Sequence, residues 1–187
     1  MLRRPDRDEL AAAAGTGRTI PDVIAPDLRV LFCGINPGLY SGATGFPFAR
    51  PGNRFWRVLH GAGFTDRILL PSEGDALLER GIGVTNVVAR TTATAAEPSD
   101  AEIRLGAELL RTRVLEFRPA WLAVLGLTAY RVGFDAPKAV VGRQAARVGR
   151  TGIWVLPNPS GLNAHYQAPA LIAAFAELRA AAFAEPG

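Results

Sequence analysis

Apolar residues along this chain follow two alternating rhythms. Four short runs, Val30 to Cys33, Val84 to Val88, Trp121 to Leu125 and Ile153 to Leu156, are rich in Val, Leu or Ile. Such runs suit strands buried on both faces of a parallel sheet. Between them the period lengthens to that of a helix. Phe55, Val58, Leu59 and Ala62 share one helical face, and Ile103, Ala107, Leu110, Val114 and Phe117 form a continuous apolar stripe. That second helix has a start signal: Ser99 stands three residues before Glu102, with Pro98 ahead of it, the pattern of a capping box. Leu171, Phe175, Leu178 and Ala182 repeat the stripe in a terminal helix. Strands alternating with helices predict an α/β fold, a three-layer sandwich around a mainly parallel four-stranded central sheet. Ligands of such sheets bind beyond the carboxyl ends of the strands.

Residues 1–20 are charged and Ala-rich, then run into Gly15-Thr16-Gly17, which reads as a loosely attached helix and linker. Residues 21–187 then make a single domain. With 49% hydrophobic and 20% charged residues, the chain has enough apolar surface for a core and is not broadly disordered. No apolar run reaches the roughly 18 residues of a membrane span, since Glu177 and Arg179 break the Ala-rich C-terminal stretch. No cationic segment followed by an apolar one opens the chain, so the expectation is a monomer of the cytoplasm with no membrane partner. Cys33 is the lone cysteine, and His60 and His165 are the two histidines. These counts leave no intramolecular disulfide and make neither a metal centre nor a cofactor expected.

The formal charge is only +4, from 21 basic and 17 acidic residues, but all the basic residues except Lys138 are arginine. From Ala136 to Ala176 there are Lys138, Arg143, Arg147 and Arg150 and no acidic residue. That bias suits a polyanionic partner and equally a solvated basic face. The run includes the end of the fourth predicted strand, so its charge is expected beside whatever site forms there.

Two of the predicted strands end alike. The first runs into Gly34-Ile35-Asn36-Pro37-Gly38 and the fourth into Pro157-Asn158-Pro159-Ser160-Gly161-Leu162. Proline forces its predecessor out of the helical region, so each Asn sits at an abrupt turn. Glycine allows close approach of a ligand to the backbone. Either motif alone reads as a turn; a pair at equivalent strand ends points to a site.

Gly34 to Gly38, followed by Gly45-Phe46-Pro47-Phe48 and Asn53-Arg54-Phe55-Trp56, closely resembles the mismatch-specific uracil/thymine-DNA glycosylase branch of the uracil-DNA glycosylase superfamily. Asn158 to Leu162 is similar to the second motif of its bacterial members, and Gly83 to Asn86 through Arg90-Thr91-Thr92 fits the region between. The resemblance runs from about Pro26 to Arg179. It implies a monofunctional glycosylase that flips a nucleotide out of mismatched duplex DNA and hydrolyses its glycosidic bond. Asn36 would position the attacking water and Asn158 would contact the base or its leaving-group oxygen. Ile35 and Gly38 would lend backbone groups, Ser41 would stand at the far edge of the pyrimidine, and Phe48 would be the stacking platform, with Phe46 anchoring the loop. Ser160, Gly161, Leu162 and Asn163 would belong to the wedge entering the duplex. Uracil is the implied substrate, with thymine or ethenocytosine as further candidates. Two positions depart from bacterial relatives: Ala164 replaces the usual Arg of the wedge, and Asn86 stands where some carry Lys.

Two other readings stay open. A non-catalytic nucleotide- or DNA-binding α/β module would use the same loops, although it would have no need of both polar Asn residues. A nucleoside hydrolase would usually need an Asp-rich metal site, and Gly34 to Arg57 contains no acidic residue. No G-x-G-x-x-G fingerprint follows the first strand, which disfavours a dinucleotide-binding enzyme. The lysine count yields a separate expectation. Strand-cleaving glycosylases form a Schiff base through an amine, and Lys138 lies away from both motifs. Borohydride treatment of the protein with a labelled G·U duplex should therefore trap no covalent adduct; a trapped adduct mapping to Lys138 would overturn this.

Overall fold

The computed structural model describes residues 3–15, 17–161 and 166–184. In chain order the elements are α1 (Arg7–Gly15), β1 (Val30–Gly34), α2 (Leu39–Thr44), α3 (Phe55–Gly61), a 3-10 segment (Pro71–Arg80), β2 (Ile82–Asn86), α4 (Asp100–Phe117), β3 (Trp121–Leu125), α5 (Leu127–Gly133), β4 (Gly142–Val148), β5 (Thr151–Leu156) and α6 (Ala168–Phe183). The sheet has the order β2-β1-β3-β5-β4. Its first four members are parallel, and β4 pairs antiparallel with β5.

The three layers follow from side-chain alternation in β1. Val30 and Phe32 enter one core with α3 and α6, where Phe32 lies among Phe55, Phe64 and Phe175. Leu31 and Cys33 enter the other, packed with Ile103, Ala107, Leu110 and Val114 of α4 and Tyr130 of α5. Burial raises the Cys33 thiol far above its ordinary range and leaves it unreactive. The predicted helical stripes are the buried faces of α3, α4 and α6. Ser99 caps α4 as expected: its Oγ accepts from the Glu102 N–H, and its own N–H donates to the Glu102 carboxylate.

The sheet has five strands, not four. The added strand, β4, carries Arg143 and Arg147 and is largely exposed, so it has no apolar run to betray it. An antiparallel edge strand needs only its partner's backbone. The described part of the N-terminal extension touches the domain at two places. Helix α1 packs against α2, Ala13 is fully buried, and the Thr91 N–H donates to Arg18 O at 2.7 Å. Among the described residues, no helix is long and apolar enough to cross a membrane.

Helix α4 is pressed onto the segment that follows β2. A Cβ built on Gly106 would lie 2.2 Å from Val87 O and 2.9 Å from Val87 C. In an open helix, Gly→Ala gains about 1 kcal/mol, whereas forcing an atom into a close-packed backbone contact costs about 1–3 kcal/mol. The contact should win. Gly106→Ala should lower Tm in a thermal melt by about 3 °C or more; a raised Tm would show that the helix can withdraw from Val87.

Candidate functional site

β1 does not stop pairing where its regular strand ends. The Val87 N–H donates to Gly34 O, Val88 N–H to Ile35 O and Thr92 N–H to Pro37 O, at 2.8–3.0 Å. Gly38 and Thr92 form a parallel bridge. The segment after β2 therefore runs beside the first Asn-Pro loop and delivers Thr92 to Asn36. The Asn36 Nδ2 donates to Thr92 Oγ1 and to Pro37 O, and the Thr92 hydroxyl in turn donates to Thr94 O at 2.6 Å. These bonds decide which way the amide faces. Its oxygen, Oδ1, is buried and has no donor among the described residues. A buried acceptor without a partner is costly unless a ligand or water supplies the hydrogen.

Arg90 secures this segment from behind. Its Nε and Nη2 donate to the two Glu102 carboxylate oxygens at 2.6 and 3.2 Å, fastening residue 90 to the first turn of α4. The Glu102 carboxyl is lowered to about 2, chiefly by the Arg90 hydrogen bonds and then by the Ser99 N–H.

Phe48 and Asn86 stand over Gly34, two residues before Asn36. A Cβ there would meet Asn86 Oδ1 at 2.6 Å and the Phe48 ring at 3.5 Å. Phe48 stacks on the buried Phe55, with centroids 4.0 Å apart and planes 27° from parallel. Its φ is +52°, an outlier for a bulky side chain. Such strain is held only where the surroundings over-determine it, and it clusters at sites. The expected division of labour between the two phenylalanines is reversed in one respect: Phe48, rather than Phe46, is the ring packed against the core. An anchor and a platform are compatible in one ring, because Phe55 supports it from behind.

The other expected first-loop residues fall into different settings. Gly38 is followed by α2, and a Cβ on it would meet nothing within 4 Å. Packing does not require glycine there, whereas close approach of a ligand would. Ile35 precedes Asn36 and contacts Gly126, whose N–H donates to Leu156 O at 2.9 Å. Ser41 is buried in α2 and accepts through Oγ from the Ala49 N–H at 3.3 Å, tying α2 to the Phe48 loop.

The second loop leaves β5, which is separated from β1 only by β3. At about 4.8 Å per strand the two Asn-Pro loops are set about 10 Å apart, a gap that a flat six-membered ring hydrogen-bonded at both edges can bridge. Asn158 Oδ1 accepts from the Ser160 N–H at 2.9 Å, so its oxygen shapes the turn and its Nδ2 is the donor end of the amide. The bland turn reading of Asn158 is thus true of one end of the side chain.

Arg54 holds this loop in place. Its main-chain N–H and Nε donate to Pro159 O at 3.1 and 3.4 Å, Nη2 to Ser160 O at 2.6 Å and Nη1 to Tyr166 O at 2.6 Å. One guanidinium therefore grips the chain at both Ser160 and Tyr166. Gly161 lies so close to the preceding loop that a Cβ would meet Gly52 O at 2.5 Å. A cavity of about 210 Å³ opens here, lined by Arg50, Pro51, Gly52, Asn53, Ser160 and Gly161. Leu162 and Asn163, with Ala164 and His165, lie outside the described residues.

Thr92, Arg54 and Asn86 stand inside the sequence motifs, yet the sequence alone assigns them no role at the site. Nothing in their local pattern marks them; their partners are 56, 105 to 112, and 52 residues away. The acid-free basic run also needs correction. Arg147 and Arg150 sit at the amino end of β5, and the six residues of that strand put about 20 Å between them and the second loop. The antiparallel turn from β4 to β5 carries Arg147 and Arg150 away from the predicted wedge, whereas Arg143, opposite Trp154, stays toward the carboxyl end of β5. Among the described residues, no three His, Cys, Asp or Glu side chains come together as a metal site would need.

This fold has a solved counterpart. The solution NMR structure of a candidate uracil DNA glycosylase from Methanosarcina acetivorans superposes with a TM-score of 0.54 at 22% identity, over 87% of this chain and 98% of that one. At that identity the match speaks for the α/β fold. The sequence itself goes further, because residues 21–181 match the family described as the Uracil DNA glycosylase superfamily. Both Asn-Pro loops and the elements that position them fall inside that span, and the chain belongs to the uracil-DNA glycosylase superfamily.

Proposed function

We propose that this protein is a monofunctional DNA glycosylase that flips uracil out of mismatched duplex DNA and excises it by hydrolysis. Thymine and ethenocytosine are candidate further substrates. It would act as a monomer in the bacterial cytoplasm, at the first step of base excision repair. The observation that carries the reading is the Asn36 amide: its nitrogen is committed to Thr92 and Pro37, and its oxygen is a buried acceptor without a donor among the described residues.

An amide is too weak a base to take a proton near neutral pH, so Asn36 contributes by orientation. A water donating one hydrogen to Oδ1 would turn a lone pair toward the sugar C1′. As the C1′–N1 bond breaks, its electron pair moves onto the base and an oxocarbenium-like sugar develops. The water oxygen bonds to C1′ and its proton is lost to solvent, while the base leaves as an anion or takes a proton. Asn158 Nδ2 would donate to a base oxygen as that charge develops, an interaction typically contributing a few kcal/mol. Phe48 would stack on the flipped ring, at roughly 1–3 kcal/mol. No charged side chain among Asn36, Thr92, Phe48 and Asn158 takes part, so chemistry should be slow beside family members that use a carboxylate.

Excision should be measured on duplex and single-stranded oligonucleotides bearing G·U, A·U, G·T or ethenocytosine. Uracil release from G·U is expected, with preference over A·U. Asn36→Ala should reduce the single-turnover rate by at least about 10²-fold, the scale of a lost transition-state positioning group. An Asn36→Ala protein as active as wild type would defeat the mechanism.

Thr92→Val tests the orientation itself. It removes one hydrogen bond worth about 1 kcal/mol while keeping the shape, so the rate should fall about fivefold with DNA affinity unchanged. An equal fall in affinity, or no fall in rate, would show that Thr92 serves the loop and not the amide.

A further inference from the structure

Four arginines gather at the end of the sheet opposite the two Asn-Pro loops. A cavity of about 400 Å³ opens at the amino ends of the strands, lined by Asp27, Leu28, Arg29, Arg118, Pro119, Ala120, Trp121, Arg147 and Arg150. We propose that Arg29, Arg118, Arg147 and Arg150 form a second phosphate-binding site, which holds the phosphodiester backbone of a DNA segment other than the one at the Asn-Pro loops.

The charge balance of the cavity is the first ground. Four guanidiniums face one carboxylate. Asp27 is shared between Arg118, at 3.4 Å, and Arg150, at 3.3 Å, and all three side chains are more than half exposed. Arg29 makes its described contacts with Ala182 O and the Phe183 ring, and Arg147 donates to Arg150 O. None of these partners carries a negative charge. The lining thus has an excess of three positive charges over a floor of Leu28, Pro119, Ala120 and Trp121. A concave, low-dielectric wall of one sign focuses its field on an incoming anion.

The second ground is that the cluster is built on fixed backbone. The Asp27 N–H donates to Phe117 O, Ala120 N–H to Leu28 O, Trp121 N–H to Arg29 O and Gly152 N–H to Ala120 O, at 2.7–3.1 Å. Asp27 and Arg118 both hold left-handed backbone, with φ of +54° and +51°, which is uncommon for residues other than glycine. Guanidinium forks from three separate segments are thereby presented on one rim.

The geometry favours a polyanion over a small one. The arginines are spread around an open mouth, as successive phosphates along a strand require, and none is buried. Guanidiniums suit phosphate oxygens, which they can meet with two donors at once. About 20 Å of β5 separates this rim from the second Asn-Pro loop, and the two open at opposite ends of the strands. A duplex seated at the loops would leave this rim facing away, ready for another segment. Only the identity of the polyanion rests on the glycosylase reading.

The test fills the loops first. The full chain is saturated with a duplex carrying 2′-fluoro-deoxyuridine opposite guanine, which resists cleavage, and a fluorescent undamaged duplex is then titrated and its stoichiometry found by sedimentation. A second duplex should bind. Arg118→Gln with Arg150→Gln should weaken that second binding about tenfold or more, and lower the slope of log affinity against log salt by about 2. Asp27→Asn should strengthen it. Single-turnover excision should be unchanged in both variants. One duplex per chain, or a second duplex indifferent to the Arg substitutions, overturns the proposal. So does a rim that takes inorganic phosphate or a mononucleotide at micromolar concentration and ignores duplex. Failure of wild-type excision with the salt slope still sensitive to Arg118 and Arg150 would strike the glycosylase reading and leave this site standing.

Discussion

The site depends on the pairing of β1 with β2 carrying on past the ends of both strands. Hydrogen bonds from Val87, Val88 and Thr92 to Gly34, Ile35 and Pro37 keep two loop segments in parallel register over a stretch where neither is regular sheet. Loops at strand ends are ordinarily the most mobile parts of an α/β domain. Here the backbone ladder extends into them, and a hydroxyl on one segment can set the orientation of an amide on the other. That matters because an Asn side chain is nearly symmetric in shape and opposite in polarity at its two ends. Turned over, Asn36 would offer two hydrogens where an acceptor is wanted. The Thr92 hydroxyl breaks the tie, since its own hydrogen is committed to Thr94 O and only its lone pairs face Asn36. The remoter supports follow from the same need. Arg90 on Glu102 holds the segment to α4, and the close seat of Gly106 against Val87 O presses it onto the sheet.

The second loop is secured by different means. β5 is paired with β3 and β4, and the β3 ladder reaches as far as Gly126 on Leu156 O; past that point the work falls largely to a side chain. Arg54 spends its hydrogen bonds on the carbonyls of Pro159, Ser160 and Tyr166. A guanidinium suits this task because its donors lie in one rigid plane and stay charged at any working pH. The consequence is asymmetric. The first loop is anchored largely by backbone, whereas the second is anchored chiefly through one residue on another element.

The legible parts of the sequence were those whose cause is local or periodic. Runs buried on both faces marked β1, β3 and β5, and the stripe with its Ser99–Glu102 box marked α4. Asn-Pro at two strand ends marked the site, because proline's constraint is written in the residue itself. β4 was invisible for a physical reason: an exposed edge strand is held by its neighbour's backbone, and Arg143 to Arg147 reads as a basic loop. Thr92 and Arg54 escaped because their importance lies in partners far along the chain. The placement of charge failed in the same way. Adjacency in sequence put Arg147 and Arg150 beside the second motif, yet a reversal between β4 and β5 sent them to the other end of the sheet.

That separation of charge from chemistry has a physical logic. The first loop, from Gly34 to Arg50, contains no ionisable side chain except Tyr40 until Arg50 itself. Its polar groups are amides, hydroxyls and backbone dipoles. A cluster of guanidiniums in the pocket would favour the departing base anion but would also oppose the cationic sugar forming beside it. Neutral donors such as an Asn amide are weaker, but they can be aimed at the base alone. Phosphates of the bound strand can then supply the negative field that the oxocarbenium needs, provided that no protein cation neutralises them at close range. Keeping Arg29, Arg118, Arg147 and Arg150 about 20 Å away, at the amino ends of the strands, would leave Arg50 and Arg54 as the cations beside the second loop, Arg54 already spent on main-chain carbonyls, while retaining overall attraction for a polyanion.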